Sequence, residues 1–163
     1  MKKLLLMRHA KSDWSDQSLS DFDRPLNERG MCAAPVMGAL LREHALVPDL
    51  IIASPAQRSR KTAELVESAT GLSDAIRFER HIYEASPQTL LNIVLSIDRE
   101  LSVVMIVGHN PGMESLVRAL TGEIVPMPTA AIAVIESRAK SWKEFALDDV
   151  KLVHVFRPKE LMS

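Results

Sequence analysis

The sequence of 163 residues has 47% hydrophobic and 25% charged residues, typical of a globular protein, and we expect a single domain over residues 1–163. The formal net charge of −1 argues against a nucleic acid partner. The single cysteine excludes an intrachain disulfide, and the first apolar run ends too early for a secretory signal or a membrane span. We therefore expect a cytoplasmic protein that binds no membrane.

Short apolar strands alternate with helical segments along the chain. Strands are predicted at residues 4–7, 50–53, 76–78 and 103–107, and helices at about 28–44, 56–69, 87–97 and 113–120. Two later strands, in PMPTAAIAVIE and VKLVHVF, have no clear helix between them, which favours an antiparallel edge. The pattern predicts a three-layer α/β/α fold with a mostly parallel, mixed sheet. Pro35 is expected to kink the first helix or to shift its start.

Polar side chains follow three of these strands, at the point where each strand ends. They are, in chain order, Arg8, His9, Lys11, Ser12, Ser54, Gln57, Arg58, His109 and Asn110. Because the carboxyl ends of parallel strands meet at one edge of a sheet, we expect these residues to line one crevice. Most of them are cations or hydrogen-bond donors, so the best-fitting ligand is a phosphoryl group, whose oxygens match the planar donors of arginine.

Two histidines at this edge indicate chemistry as well as binding. A neutral imidazole nitrogen is a good nucleophile at phosphorus, and water can hydrolyse the phosphoramidate that results. Nearby guanidinium groups disfavour protonation of the imidazole and stabilise charge on the transferring oxygens. We therefore expect no metal and no other cofactor, although each motif taken singly is also an ordinary strand exit or turn.

Four segments resemble, in chain order, the landmarks of the histidine phosphatase superfamily, which includes the phosphoglycerate mutases and the acid phosphatases. They are LLLMRHAKS, DFDRPLNERG, IIASPAQRSRKTA and VMIVGHNPGMESLV. The sequence RHAKS in place of RHG, together with IYEASPQTLL and PMPTAAIAVIE, is most similar to the small SixA-like phosphohistidine phosphatase branch. The resemblance covers roughly residues 3–155 and implies a phosphoglycerate mutase-like fold and a metal-independent phosphatase (hydrolase) activity.

The resemblance also implies catalytic roles for particular residues. His9 corresponds to the phosphorylated nucleophile, Arg8 and Arg58 to the residues that bind phosphoryl oxygens, and His109 to the residue that completes the pocket. Ala10 replaces the glycine that is common in the family.

The general acid is less defined than the nucleophile. Larger relatives use a glutamate, for which Glu84 is the nearest candidate, and Asp13 or Asp16 could serve instead. A phosphohistidine substrate has a labile leaving group, so it could react with a weak acid or with none.

Other residues near the predicted strand ends are expected to contact the substrate. They are Lys11, Ser12, Trp14 and Asn110. Lys11 and Ser12 could donate to the rim of the phosphate site or be solvated loop residues, and Trp14 could form a wall of the pocket. Cys32 is expected to pack as a small buried hydrophobe on a helix face.

The favoured function is hydrolysis of phosphohistidine in a protein, because no insertion is long enough to cap the site. A small phosphorylated substrate, in the manner of a phosphomonoesterase, is the enzymatic alternative. A phosphoglycerate mutase-like transfer would need a closed pocket. A catalytically idle phosphate- or phosphopeptide-binding module would need the neighbours of His9 but not its ring, and a zinc site at His9 and His109 lacks an evident third ligand.

Overall fold

The structure, a computed structural model, describes residues 1–147 and 149–162. Within these residues the strands are β1 (Lys2–Arg8), β2 (Leu50–Ala53), β3 (Ile76–Phe78), β4 (Val103–Gly108), β5 (Ile132–Ser137) and β6 (Val150–Phe156). The α-helices are α1 (Glu28–Glu43), α2 (Gln57–Thr70), α3 (Pro87–Leu95), α4 (Gly112–Thr121) and α5 (Pro158–Leu161). Short 3-10 turns lie at Asp21–Asp23, Arg80–Ile82 and Trp142–Glu144.

The strands form one mixed sheet in the order β3-β2-β4-β1-β5-β6. The first four strands of this order run parallel, whereas β5 is antiparallel to β1 and β6 is antiparallel to β5. The predicted mixed sheet with an antiparallel edge is therefore confirmed. None of the helices in the described part of the chain is both long and apolar enough to cross a membrane.

The helices cover both faces of the sheet, which gives the predicted three layers. Leu5 and Met7 of β1 pack with the inner faces of α1 and α2, and Leu4 and Leu6 pack with α3 and α4 on the other side. All four side chains are fully buried. A strand that is apolar at every position is what a sheet covered on both faces requires.

Local sequence signals explain where the helices begin and end. Asn27 caps α1 by accepting a hydrogen bond from the amide of Gly30, and Ser86 caps α3, whose first residue is Pro87. Gly71 ends α2 in the left-handed conformation, with φ of 83°. Pro35 lies inside α1, which begins at Glu28 as predicted; of the two expected effects, a kink or a shift of the helix start, the shift does not occur.

The register of the central strands aligns their carboxyl ends. Arg8 lies opposite Gly108, and Ala53 lies opposite Val107. The backbone pairing continues past the strands, because the amide of His9 donates to the carbonyl of Gly108. Three chain segments therefore leave the sheet at the same edge.

Candidate active site

The structure brings Arg8, His9, Arg58 and His109 together at this edge. Arg8 is the last residue of β1, His9 follows it, Arg58 lies in the first turn of α2, and His109 follows β4. The ring centroids of the two histidines are 5.3 Å apart, with the ring planes tilted by 54°. His9 and Arg58 are each only 7% exposed, so the site is a buried pocket floor and not a solvated strand exit.

The backbone fixes the tautomer of His9. Its Nδ1 lies 2.7 Å from the carbonyl oxygen of Ala10, which can only accept, so Nδ1 donates and Nε2 keeps its lone pair. The Nε of Arg58 lies 3.4 Å from this Nε2. Burial, followed by the proximity of His109 and the positive charges of Arg58 and Arg8, lowers the pKa of His9 to about 3, so the imidazole is neutral at pH 7.

Ala10 is compatible with this arrangement. The described non-glycine residues with positive φ do not include Ala10, so the position does not need the glycine that is common in the family. Ala10 is fully buried, and its amide donates to the hydroxyl of Thr62 in α2. The backbone that holds His9 is thereby fastened to the helix that carries Arg58.

Hydrogen bonding also assigns a tautomer to His109. Its Nε2 lies 2.8 Å from the hydroxyl oxygen of Ser54, and that oxygen already accepts from the amide of Ala56. Ser54 is fully buried, and among the described residues Nε2 of His109 is the acceptor within reach of its hydroxyl proton, so this proton binds Nε2 and the ring proton lies on Nδ1. Burial, followed by the charge of Arg58, lowers the pKa of His109 to about 4.

Three buried side-chain nitrogens have no partner among the described residues: the Nδ1 of His109 and the Nε of Arg8, which lie in this pocket, and the Nε of Arg24 in the first loop. Arg8 also donates from Nη1 to the carbonyl of Met127 at 3.1 Å, and burial lowers the pKa of its guanidinium. Unpaired buried donors are costly, and an oxyanion between the two in this pocket would supply their missing acceptors.

Asp21 is a site residue that the sequence analysis did not identify. Its backbone carbonyl accepts from Nη1 of Arg58 at 2.6 Å, and its carboxylate accepts from Nη2 at 3.0 Å. The same carboxylate accepts from the hydroxyl of Tyr83 at 2.6 Å and pairs with Arg24. The hydrogen bond from Tyr83 and the contacts with Arg58 lower the pKa of Asp21, while burial and Asp21 raise that of Tyr83 to about 12.

The three carboxylates considered as the general acid are Glu84, Asp13 and Asp16, and their surroundings differ from those of the four pocket residues. Glu84 is exposed and follows Tyr83 with φ of 56°. The carboxylates of Asp13 and Asp16 accept from the nearby loop residues Ser15 and Ser18. The role of each as an acid stays a prediction.

The residues expected to contact the substrate are spread around the pocket. Trp14 is 68% exposed, and its ring lies 3.3 Å from the guanidinium carbon of Arg24. Asn110 donates to Glu114 and to the carbonyl of Met127, the same carbonyl that binds Arg8. Their roles in substrate binding stay predictions.

Ser12 and Lys11 lie on the side of α1. Ser12 is buried and forms an isolated backbone bridge with Leu26, and Lys11 is exposed. Lys11 lines a cleft of about 580 Å³, together with Arg29, Cys32, Thr129 and Lys159. The expectation that Cys32 is buried is wrong: its side chain is exposed in this cleft.

The described residues contain no group of three or more His, Cys, Asp or Glu side chains that could hold a metal ion.

The geometry agrees with comparisons to known proteins. Residues 4–86 match the histidine phosphatase superfamily (branch 1). An uncharacterized chloroplastic protein of Arabidopsis thaliana is 32% identical over 90% of this chain and 72% of its own length. The chain belongs to the histidine phosphatase superfamily.

Within the histidine phosphatase superfamily, the chain is similar to solved structures of SixA proteins. A protein described as a candidate phosphohistidine phosphatase SixA from Agrobacterium tumefaciens superposes with a TM-score of 0.82 at 32% identity, covering 96% of this chain and 98% of its own. A protein histidine phosphatase SixA complexed with tungstate has the same fold, with a TM-score of 0.85 at 20% identity over 98% of this chain and 99% of that chain. The chain is therefore a SixA-like member, and the protein is a phosphatase that acts through a histidine nucleophile.

Proposed function

We propose that the protein, as a single catalytic domain over residues 1–163, hydrolyses phosphohistidine in a partner protein, with His9 as the nucleophile and without a metal. The proposal rests on one observation above all. The neutral imidazole of His9 presents an unprotonated Nε2, which accepts a hydrogen bond from the Nε–H of Arg58 at 3.4 Å. A base that stays deprotonated beside a cation is suited to attack an anionic phosphoryl group.

In the first step the substrate's phosphoryl oxygens accept hydrogen bonds from Arg8, Arg58 and Nδ1 of His109. These donors include the two that have no partner in the free pocket. The Nε2 of His9 attacks phosphorus and a new N–P bond forms. The N–P bond of the substrate breaks, and its imidazole leaves with the bonding electron pair on the departing nitrogen and a proton on the other nitrogen. The three donors hold the negative charge of the phosphoryl oxygens during transfer.

In the second step water attacks phosphorus on the opposite side from His9. The N–P bond to His9 breaks, inorganic phosphate is released, and the two protons of water are distributed between phosphate and solvent. His9 returns to its neutral form because burial keeps its pKa at about 3, and the next cycle can begin.

The leaving group favours phosphohistidine over a phosphate monoester. An alkoxide must be protonated as it leaves, and this calls for a protonated acid near the reacting oxygen. Asp21, the carboxyl group bonded to Arg58, is held ionised by the hydrogen bond from Tyr83 and by Arg58. An imidazole leaves with less help, and the SixA proteins that this chain resembles are described as phosphohistidine phosphatases.

The deciding experiment measures phosphate release from a phosphohistidine protein and from simple phosphomonoesters, in excess chelator. We expect the wild type to act on phosphohistidine, and His9→Asn to lose at least about 10³-fold in kcat, because the intermediate cannot form. His154→Asn is the matched control, since His154 is exposed on β6 and should leave turnover unchanged.

Each contrary outcome has a distinct meaning. Equal turnover by wild type and His9→Asn would refute the nucleophile assignment. Loss of activity in chelator would refute a metal-independent reaction. Faster turnover of monoesters than of phosphohistidine would make the protein a small-molecule phosphomonoesterase, and phosphate binding without any turnover would make it a binding module.

A further inference from the structure

The contacts of Asp21 form a compact group next to Arg58, in which the Asp21 side chain itself is 53% exposed. We call Asp21, Arg24, Arg58 and Tyr83 the Asp21 cluster. Asp21 accepts from all three other members, and its backbone carbonyl makes an additional contact with Arg58. These partners lie 3, 37 and 62 residues away in sequence, so the cluster joins the first loop to α2 and to the segment after β3.

The cluster determines which part of the Arg58 guanidinium faces the reaction. A guanidinium is planar, and its donors have fixed relative directions. Asp21 occupies donors on both amino groups, Nη1 at 2.6 Å and Nη2 at 3.0 Å. The Nε–H of Arg58 is then directed toward Nε2 of His9, at 3.4 Å. A phosphoryl group carried by His9 would lie next to this donor.

The other members of the cluster are themselves held in place. The guanidinium of Arg24 stacks on the ring of Trp14, with 3.3 Å from its central carbon to the ring centroid. The ring of Tyr83 meets the ring of His109 edge-on at 5.4 Å and that of Phe22 at 5.2 Å. The cluster therefore has ring contacts on both sides, and we expect a change at Asp21 to affect the phosphate site through Arg58.

The charges are also consistent with a supporting role. Asp21 and Arg24 form a pair that balances itself, which leaves the charges of Arg8 and Arg58 for the phosphoryl group. The carboxylate of Asp21 also places a negative charge next to the buried guanidinium of Arg58, on the side away from His9.

We propose that Asp21 is a positioning residue of the phosphatase site: it holds Arg58 so that its Nε–H, and not its amino groups, meets the phosphoryl group on His9. This inference rests on the proposed function for its chemistry, but its geometry can be tested without turnover. Asp21 acts through Arg58 and contacts neither the phosphorus nor the leaving group. The first loop is thereby part of the phosphate site although much of it is exposed.

The test compares Asp21→Asn with Asp23→Asn. Both substitutions remove one negative charge from the same 3-10 turn, but among the described residues the carboxylate of Asp23 accepts a hydrogen bond from Ser20 alone. Calorimetric titration with inorganic phosphate is expected to give a Kd about tenfold higher for Asp21→Asn, because a hydrogen bond to a charged group is lost and Arg58 is misplaced. Asp23→Asn should stay within about twofold of the wild type. Turnover of phosphohistidine protein should fall by about 10–10² for Asp21→Asn alone.

A double-mutant cycle with Arg58→Lys separates positioning from a general structural effect. Lysine cannot reproduce the paired contact with Asp21, so Asp21→Asn should cost little further in that background. If Asp21→Asn proves unstable, Tyr83→Phe serves instead. It removes one hydrogen bond to Asp21, keeps the contacts with Arg58, and should weaken phosphate binding in the same direction by a smaller factor.

Several results would overturn the inference. Phosphate binding by Asp21→Asn that is equal to or tighter than that of the wild type would mean that Asp21 competes with the anion for Arg58. Equal losses for Asp21→Asn and Asp23→Asn would mean that only the fold of the turn matters. A wild type that binds phosphate but hydrolyses no substrate would refute the proposed function, while the titration would still decide the role of Asp21.

Discussion

At the scale of single residues, the site depends on how two imidazole rings hold their protons. The carbonyl of Ala10 keeps the proton of His9 on Nδ1, and Ser54 directs the proton of His109 to Nδ1 as well. One ring therefore presents a lone pair and the other presents an N–H, as an attacking group and a phosphoryl-binding group require. The carbonyl of Ala10 and the hydroxyl of Ser54 thus determine which chemistry each ring can perform.

Replacing Ser54 tests this assignment. Ser54→Ala removes the donor to Nε2 of His109, so the ring can shift its proton to Nε2 and lose its donor toward the phosphoryl group. We expect kcat/KM to fall about tenfold or more, in line with the loss of one charge-stabilising donor. Ring ¹⁵N chemical shifts of His109 should report the change of tautomer.

Ser59→Ala is the control for that experiment. The Ser59 hydroxyl lies 3.4 Å from the same nitrogen, farther than that of Ser54 at 2.8 Å, so its loss should have a smaller effect. An unchanged His109 tautomer in Ser54→Ala would contradict the assignment.

At the scale of elements, α1 is fastened to the segment that follows His9. The amide of Asn27 donates to the carbonyl of Lys11, and a Cβ atom at Gly30 would overlap with that same carbonyl oxygen. The start of α1 thus packs against backbone that lies two residues beyond the nucleophile. Glycine is required here by close approach and not by its φ angle.

Gly30→Ala is expected to displace the Lys11 backbone and with it the ring of His9. The free energy of unfolding should fall by about 1–3 kcal/mol, as for other overpacked sites. The kcat/KM of the folded fraction should also fall, because the position of the nucleophile changes. Chemical denaturation and steady-state kinetics measure the two effects separately.

Gly38→Ala is the control for Gly30→Ala. A Cβ atom there would lie 2.7 Å from Cβ of Ala69, at the contact of α1 with α2. The free energy of unfolding of Gly38→Ala should fall by a similar amount to that of Gly30→Ala, while kcat/KM should not change. If Gly30→Ala kept full kcat/KM after a comparable loss of stability, the link from α1 to the site would be disproved.

At the scale of the whole molecule, two buried neutral histidines make stability depend on pH. The pKa of His9 is about 3 and that of His109 is about 4 in the folded protein, against about 6.5 for an unperturbed imidazole. Below about pH 6.5 the unfolded chain binds protons at these positions and the folded protein does not. The stabilisation is therefore complete above about pH 6.5 and declines as the pH falls toward 4 and then 3.

Denaturant unfolding between pH 7.5 and 5 should reveal this decline. Well below pH 6.5 each histidine contributes a slope of up to about 1.4 kcal/mol per pH unit. The double variant His9→Asn/His109→Asn should have a smaller slope, whereas His154→Asn should match the wild type. An identical slope in the double variant would contradict the low pKa values.

Much of this arrangement could be predicted from local sequence patterns. Continuous apolar runs specify the central strands, and the polar residues directly after them identify the edge at which Arg8, His9, Arg58 and His109 meet. Caps such as Asn27 and Gly71 specify the ends of helices. These signals lie within a few residues of the structure that they determine, and no distant part of the chain is needed to interpret them.

The Asp21 cluster could not be predicted in the same way. Asp21 lies in a loop rich in serine and aspartate, where a neighbouring arginine accounts for a carboxylate without any further partner. Its contacts with Arg58 and Tyr83 depend on how that loop docks against α2 and the segment after β3. Cys32 was misplaced for a related reason, since the sequence does not reveal that α5 leaves a cleft beside α1.

The exposed position of Cys32 has a practical consequence. It is the one cysteine in the sequence, and its thiol opens into the cleft that Lys11 also lines. A maleimide dye would therefore label the native protein at a single place, close to the backbone that follows the nucleophile. The label would report on the cleft between α1 and α5, and it would be obtained without removing or adding any other residue.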